Sequence, residues 1–146
     1  MSQATTLSRA VAMAAPRVLP RLDPENRFFW TSGADGKLRF LRCQECATFI
    51  HPPRPVCRHC LSEKVAPETV PGTGTIDTFT LNYQEWRPGL EVPYAIARVA
   101  IDGAPGVYLT TNIVGCPVES VDIGVRVRAK FEQHGEIYLP LFEKID

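Results

Sequence analysis

Four cysteines in two pairs offer the clearest chemistry in this chain. Cys43 and Cys46 form one Cys-x-x-Cys step, Cys57 and Cys60 form a second, and ten residues separate the pairs. Each step can turn two thiolates toward one point, and two such turns can face each other across a small ribbon. Zinc accepts four thiolates tetrahedrally at ~2.3 Å and needs neither redox chemistry nor an open position. Two other uses of cysteine fit less well. Disulfides belong to secreted chains, and the short apolar stretch Ala10–Ala15 after Arg9 lacks the length and cleavage site of a secretory signal. A redox Cys-x-x-Cys is expected as one pair beside a βαβ unit, whereas two pairs occur here. The quartet therefore reads as one structural zinc site. Such a site is closed to water and substrate, and its binding energy is folding energy for the segment.

The remaining reactive residues propose no active site. His51 and His59 lie between and inside the knuckles, but four cysteines already fill the tetrahedron, so both histidines read as exposed. Cys116, between Gly115 and Pro117, reads as a buried small apolar residue and not as a nucleophile. Gly72-Thr73-Gly74 lacks the third glycine of a dinucleotide loop and precedes a strand, where the fingerprint would follow one. There is no Gly-x-Ser-x-Gly and no phosphate-binding Gly-x-x-x-x-Gly-Lys-Ser/Thr. Acidic residues are scattered singly through the second half, so no catalytic residue is assigned and the chain reads as a binding module.

These residues must be positioned by a small, ordinary domain. The chain has 146 residues, 45% hydrophobic and 22% charged, enough for one modest core. No apolar run reaches the ~20 residues of a membrane helix, and a cytoplasmic location is expected. Residues 1–20 are small and Ala-rich and read as a flexible tail. Residues 21–36 read as a helix, with Asp23 as N-cap, Pro24 in the first position and Glu25 at the positive end of the dipole. Gly33 and Gly36 close it. Residues 37–66 are the cysteine ribbon, entered by the alternating strand Lys37–Arg42 and spanned by the extended link His51-Pro52-Pro53-Arg54-Pro55. Residues 67–146 read as β, with strands at Thr75–Leu81, Tyr94–Ile101, Val107–Val114, Arg126–Gln133 and Ile137–Phe142, and one helical turn within Val118–Ile123. Five short strands suggest a closed barrel, since a sandwich usually needs about seven. The fold class is thus mainly β.

Charge and aromatic residues mark the candidate surfaces. Lysines plus arginines equal aspartates plus glutamates at 16 each, so there is no global field. Locally, Lys37–Lys64 carries six basic residues against two acidic, and Thr75–Asp146 carries six basic against ten acidic. Phe28, Phe29 and Trp30 are a large aromatic load for a short helix, so at least one is expected to touch a partner protein. Trp86-Arg87-Pro88-Gly89 sits in the long connection Asn82–Pro93. It either packs on its own barrel or meets a ligand.

The order of segments resembles the family known as domain of unknown function 35 (DUF35), the acyl-CoA-associated OB-fold proteins. The resemblance rests on Asn26-Arg27-Phe28-Phe29-Trp30, the ribbon Cys43–Cys60 with Pro52-Pro53-Arg54-Pro55 inside it, and Gly72-Thr73-Gly74-Thr75. It also rests on Val92-Pro93-Tyr94, Thr111-Asn112-Ile113-Val114-Gly115-Cys116 and Tyr138-Leu139-Pro140-Leu141-Phe142, and it covers roughly residues 20–146. It implies an N-terminal helix, a rubredoxin-like zinc ribbon ligated by Cys43, Cys46, Cys57 and Cys60, and a C-terminal OB barrel. It further implies a non-catalytic subunit in a hetero-oligomer with a thiolase-like enzyme or a lipid-transfer-type aldolase of steroid side-chain degradation, helping to bind or channel acyl-CoA. On that reading Arg54 and Arg58 would meet the phosphates of CoA, and Trp86 and Tyr94 its adenine. The alternative is a nucleic-acid-binding OB and zinc-ribbon protein. The acidic barrel speaks against it, because tracking a phosphate backbone needs a positive groove.

Overall fold

The computed structural model describes residues 17–145. Helix α1 (Arg27–Thr31) runs into a 3-10 turn at Ser32–Asp35. The strands follow in two sets. The first is β1 (Leu38–Cys43), β2 (Phe49–Ile50) and β3 (Val65–Val70). The second is β4 (Thr73–Asn82), β5 (Tyr94–Ile101), β6 (Tyr108–Val114), β7 (Arg126–His134) and β8 (Ile137–Lys144). The first set is a three-stranded sheet in the order β2-β1-β3, and the second closes into a barrel in the order β4-β5-β6-β8-β7. All neighbours are antiparallel except β6 and β8, which run parallel at Ile113↔Phe142 and Val114↔Glu143. The fold is mainly β: a short helix, a zinc-ribbon segment and a five-stranded OB-fold barrel.

Alternation builds the barrel. On β5, Ala95, Ala97, Val99 and Ile101 point inward, and on β6 Leu109, Thr111 and Ile113 do so. Thr111 is the buried polar exception, and its hydroxyl donates to the Pro140 carbonyl at 2.8 Å. Gly74 lets β4 approach β5 closely. A Cβ there would lie 2.5 Å from the Ala100 carbonyl oxygen and 2.5 Å from Val99 Cγ1.

Strand β1 is buried on both faces. Leu38 and Phe40 join the barrel core, while Leu41 and Cys43 belong to a second cluster with Ile50 and Cys57. The ribbon is therefore welded to the barrel side through one strand. Strand β3 is not foreseen from the sequence. It pairs with β1 from Leu38↔Val70 to Cys43↔Val65 and so runs across residues 66 and 67. Pro67 and Glu68 interrupt its alternation, but at a sheet edge the proline's missing donor costs no ladder bond.

The helix is shorter than 21–36 and begins later. Asn26 holds the N-cap position without a side-chain cap bond, whereas Asp23 accepts the backbone N–H groups of Glu25 and Asn26 in a turn ahead of the helix. Gly36, at φ 77°, ends the 3-10 turn as expected. Gly33 does not end anything. It is buried where the turn packs on the barrel, and a Cβ would come within 2.6 Å of Phe131 and Tyr138.

Candidate metal centre and barrel cleft

The two Cys-x-x-Cys steps fold as near-copies of each other. Ala47 N–H donates to the Cys43 carbonyl at 3.1 Å, and Leu61 N–H donates to the Cys57 carbonyl at 2.9 Å. Cys43 N–H reaches the Thr48 carbonyl and Cys57 N–H the Ser62 carbonyl, both at 2.9 Å. Each turn is completed by a residue in left-handed backbone, Ala47 and Leu61 at φ 65°. Glycine is the usual occupant of such a position because it carries no Cβ.

The four Sγ atoms lie within 4.8 Å of one another, with Cys43–Cys60 at 3.5 Å and Cys46–Cys57 at 3.6 Å. A tetrahedron of sulfurs around zinc has edges of about 3.8 Å for ~2.3 Å bonds. The donor set therefore fits one zinc ion. The backbone prepares the thiolates: Glu45 and Cys46 N–H groups donate to Cys43 Sγ and His59 N–H to Cys57 Sγ, each at 3.4 Å. The Cys46 N–H holds the Cys43 thiol below its usual range, and the Thr48 hydroxyl, 3.1 Å from Cys46 Sγ, draws that thiol down to about 6. The Ser62 backbone hydrogen bond acts in the same sense on Cys60. Burial and the three neighbouring sulfurs outweigh it and push Cys60 up to about 12. Four thiolates this close need a divalent cation between them. Zinc bound by Cys43, Cys46, Cys57 and Cys60 would tie the ribbon together, with all four protein positions taken.

The two ribbon histidines differ from expectation in one case. His59 is exposed. His51 packs against both Phe29 and Phe40, ring centroids 4.9 and 5.0 Å away, and its buried Nδ1 has no hydrogen-bond partner among the described residues. Burial lowers its pKa to about 4. Phe29, expected among the partner-facing aromatics, is only 3% exposed and completes this three-ring cluster. It packs edge-on to Trp30 at 4.8 Å and so belongs to the core. Phe28 and Trp30 are half-buried against the same core. The helix spends most of its aromatic surface on docking the ribbon to the barrel.

A cleft of about 840 Å³ opens on the barrel between the β4–β5 connection, the C-terminal end of β6, and β7–β8. Apolar Leu90, Ile113, Val118 and Leu139 line it alongside Arg17, Asn112, Glu132 and His134. His134 Nε2 lies 2.7 Å from Glu132 Oε1, the same oxygen that Arg17 Nε reaches. Burial works to raise the Glu132 pKa, but His134 and Arg17 together hold it below the usual carboxylate range. Tyr94 and Cys116 also line the cleft, and Cys116 is half-buried there. Sequence reasoning missed the polar group because Arg17 and Asn112 lie far along the chain from Glu132 and His134.

The other expected CoA contacts fall elsewhere. Trp86 is 72% exposed on the β4–β5 connection, held by an Nε1 hydrogen bond to Asn82 Oδ1 at 2.7 Å, and is not among the cleft's lining residues. Arg54 and Arg58 are exposed on the ribbon and make no ion pair among the described residues. Arg39, Arg42 and Lys64, by contrast, are paired with Asp35, Glu68 and Glu45. The structure thus brings Tyr94 alone of the four to the cleft.

Two family models cover this architecture in sequence. Residues 30–66 match the rubredoxin-like zinc ribbon domain of ChsH2, and residues 67–132 match its C-terminal OB-fold domain. The "DUF35 domain-containing scaffold protein" of Methanocaldococcus jannaschii is 30% identical over 95 residues, covering 64% of this chain and 66% of that one. The chain belongs to the DUF35 family. Another relative is the "Probable enoyl-CoA hydratase alpha subunit" of Thermomonospora curvata, 32% identical over 129 residues. That match takes 88% of this chain but only 40% of the relative, so this DUF35 chain spans less than half of that protein's length. Among solved structures, a chain of the "Ltp2-ChsH2(DUF35) aldolase" superposes with a TM-score of 0.77 at 29% identity, covering 86% of this chain and 98% of that one.

Proposed function

We propose that this DUF35 chain is a non-catalytic accessory subunit that binds or channels acyl-CoA for a partner of the thiolase superfamily, with a lipid-transfer-type aldolase as the favoured partner. The observation that carries the reading is the superposition on nearly the whole of one chain from an aldolase complex. The site chemistry is consistent with it. The four-thiolate centre leaves zinc no position for substrate. In the cleft, Arg17, Glu132 and His134 satisfy one another, and the half-buried, partly apolar walls suit an elongated acyl or pantetheine chain.

Charge favours acyl-CoA over a nucleic acid. Of the barrel's six basic residues, Arg98, Arg126, Arg128 and Lys130 are each paired with a carboxylate, which leaves little positive field for a phosphate backbone. On the ribbon, Arg54 and Arg58 make no ion pair among the described residues, and they would meet the CoA phosphates. The test is co-expression with a thiolase-like protein encoded beside this one. A hetero-oligomer that turns over acyl-CoA, with no turnover by this chain alone, is expected. Arg54→Ala with Arg58→Ala should weaken acyl-CoA binding by the complex about tenfold, the scale of one charge-assisted hydrogen bond. Robust activity of the isolated chain would overturn the accessory role. Tight, salt-sensitive oligonucleotide binding without acyl-CoA affinity would overturn the ligand.

A further inference from the structure

In the barrel order β6 and β7 are not neighbours, because β8 lies between them. One side chain from outside the barrel nevertheless touches both. Arg17 Nη1 donates to Asn112 Oδ1 on β6 at 3.2 Å, and Arg17 Nε donates to Glu132 Oε1 on β7. To reach both, the guanidinium must cross β8 near Leu139, the ladder partner of Glu132. Leu139, Asn112 and Glu132 all line the cleft, so Arg17 lies across it. The polar end of the cleft is then closed by contacts within the chain: His134 shares Glu132 Oε1, and Asn112 Nδ2 donates to the Ala95 carbonyl at 3.0 Å.

Among the described residues, what holds Arg17 there is slight. Residues 17–20 belong to no helix or strand, and Val18 is 84% exposed, so apolar packing contributes little beside it. The Arg17 and Glu132 side chains are 36% and 39% exposed, and ion pairs this open to solvent are weakly held. A contact that spans a binding cleft yet is easily broken has the properties of a gate.

We propose that residues 17–20 are a strap that gates the cleft, with Arg17 docked on Glu132 and Asn112 in the free chain and lifted when an acyl-CoA enters. This rests on the acyl-CoA reading above. An exposed pair biases such a strap toward the docked state by up to about fivefold, and apparent affinity falls by the same factor.

The test uses the full chain in complex with its partner and octanoyl-CoA as the probe. Trypsin cuts the Arg17–Val18 bond only when the strap is lifted, and mass spectrometry follows that cut. Octanoyl-CoA should speed the cleavage several-fold, and Glu132→Gln should speed it without ligand. A chain lacking residues 1–20 keeps every helix and strand of the described residues, the first of which begins at Arg27. It should bind octanoyl-CoA up to about fivefold more tightly. Equal cleavage rates in wild type, Glu132→Gln and the liganded protein would overturn the strap. Binding of octanoyl-CoA with equal affinity by the full and shortened chains would overturn the gate alone. Failure of every form to bind octanoyl-CoA would overturn the gate and the acyl-CoA reading together.

Discussion

Acidification should undock the ribbon through His51, and the size of the effect follows from the slot that holds it. The imidazole packs against Phe29 and Phe40 with a buried Nδ1 that has no partner among the described residues, and burial lowers its pKa from 6.5 to about 4. Between those values the unfolded chain binds a proton that the folded chain refuses. Stability is therefore intact above pH 6.5, falls as the pH drops, and stops falling from this cause below about 4. At ~1.4 kcal/mol per pH unit the full loss is about 3 kcal/mol, of which about 2 kcal/mol is reached by pH 5. Thiolate protonation also weakens zinc binding in acid, so the wild type alone cannot isolate the histidine. His51→Phe can, because phenylalanine suits the aromatic slot, does not titrate, and removes the unpartnered nitrogen. Urea unfolding at pH 7 and pH 5 in excess zinc should show the wild type losing about 2 kcal/mol more than His51→Phe, roughly 1 M in midpoint. Equal losses in the two proteins would show that His51 is not buried neutral, and the docking argument would fail with it.

Three further outcomes concern the ribbon itself. Purified protein should carry about one zinc per chain by elemental analysis. Cys60→Ser should release the zinc and unfold the segment around β1 and β2, since structural zinc supplies ~10 kcal/mol or more in small domains; a zinc-free protein of full thermal stability would refute this. Leu61→Gly should raise the unfolding free energy by about 0.5 kcal/mol or more, because it relieves a left-handed leucine at φ 65° whose side chain is 75% exposed. Leu61→Ala, which keeps the strain, should not.

What the sequence disclosed and what it hid divide along physical lines. The cysteine spacing announces the metal centre because its chemistry is local: each knuckle closes within five residues, from Cys43 to Ala47 and from Cys57 to Leu61. Strand β5 is legible to the residue, Tyr94–Ile101, because one face is buried throughout and the alternation is unbroken. Strand β3 is not, because a proline and a glutamate break its pattern, and only β1 across the sheet shows why they are tolerated.

The aromatic helix is only partly legible for a related reason. Phe28, Phe29 and Trp30 exceed what a free helix of five residues could bury, so the sequence alone suggests an outside partner. Phe29, at least, is covered within the chain. Phe40 on β1 and His51 from the proline link converge on Phe29, and three segments brought together by the ribbon make a slot that no window of sequence contains. The cleft follows the same logic at longer range, since Arg17 and Glu132 are 115 residues apart. Local spacing encodes the zinc ligands, while the surfaces open to a ligand arise only when strands β6, β8 and β7 take their non-sequential order. A variant that disturbs that order should therefore lose the cleft while keeping the metal.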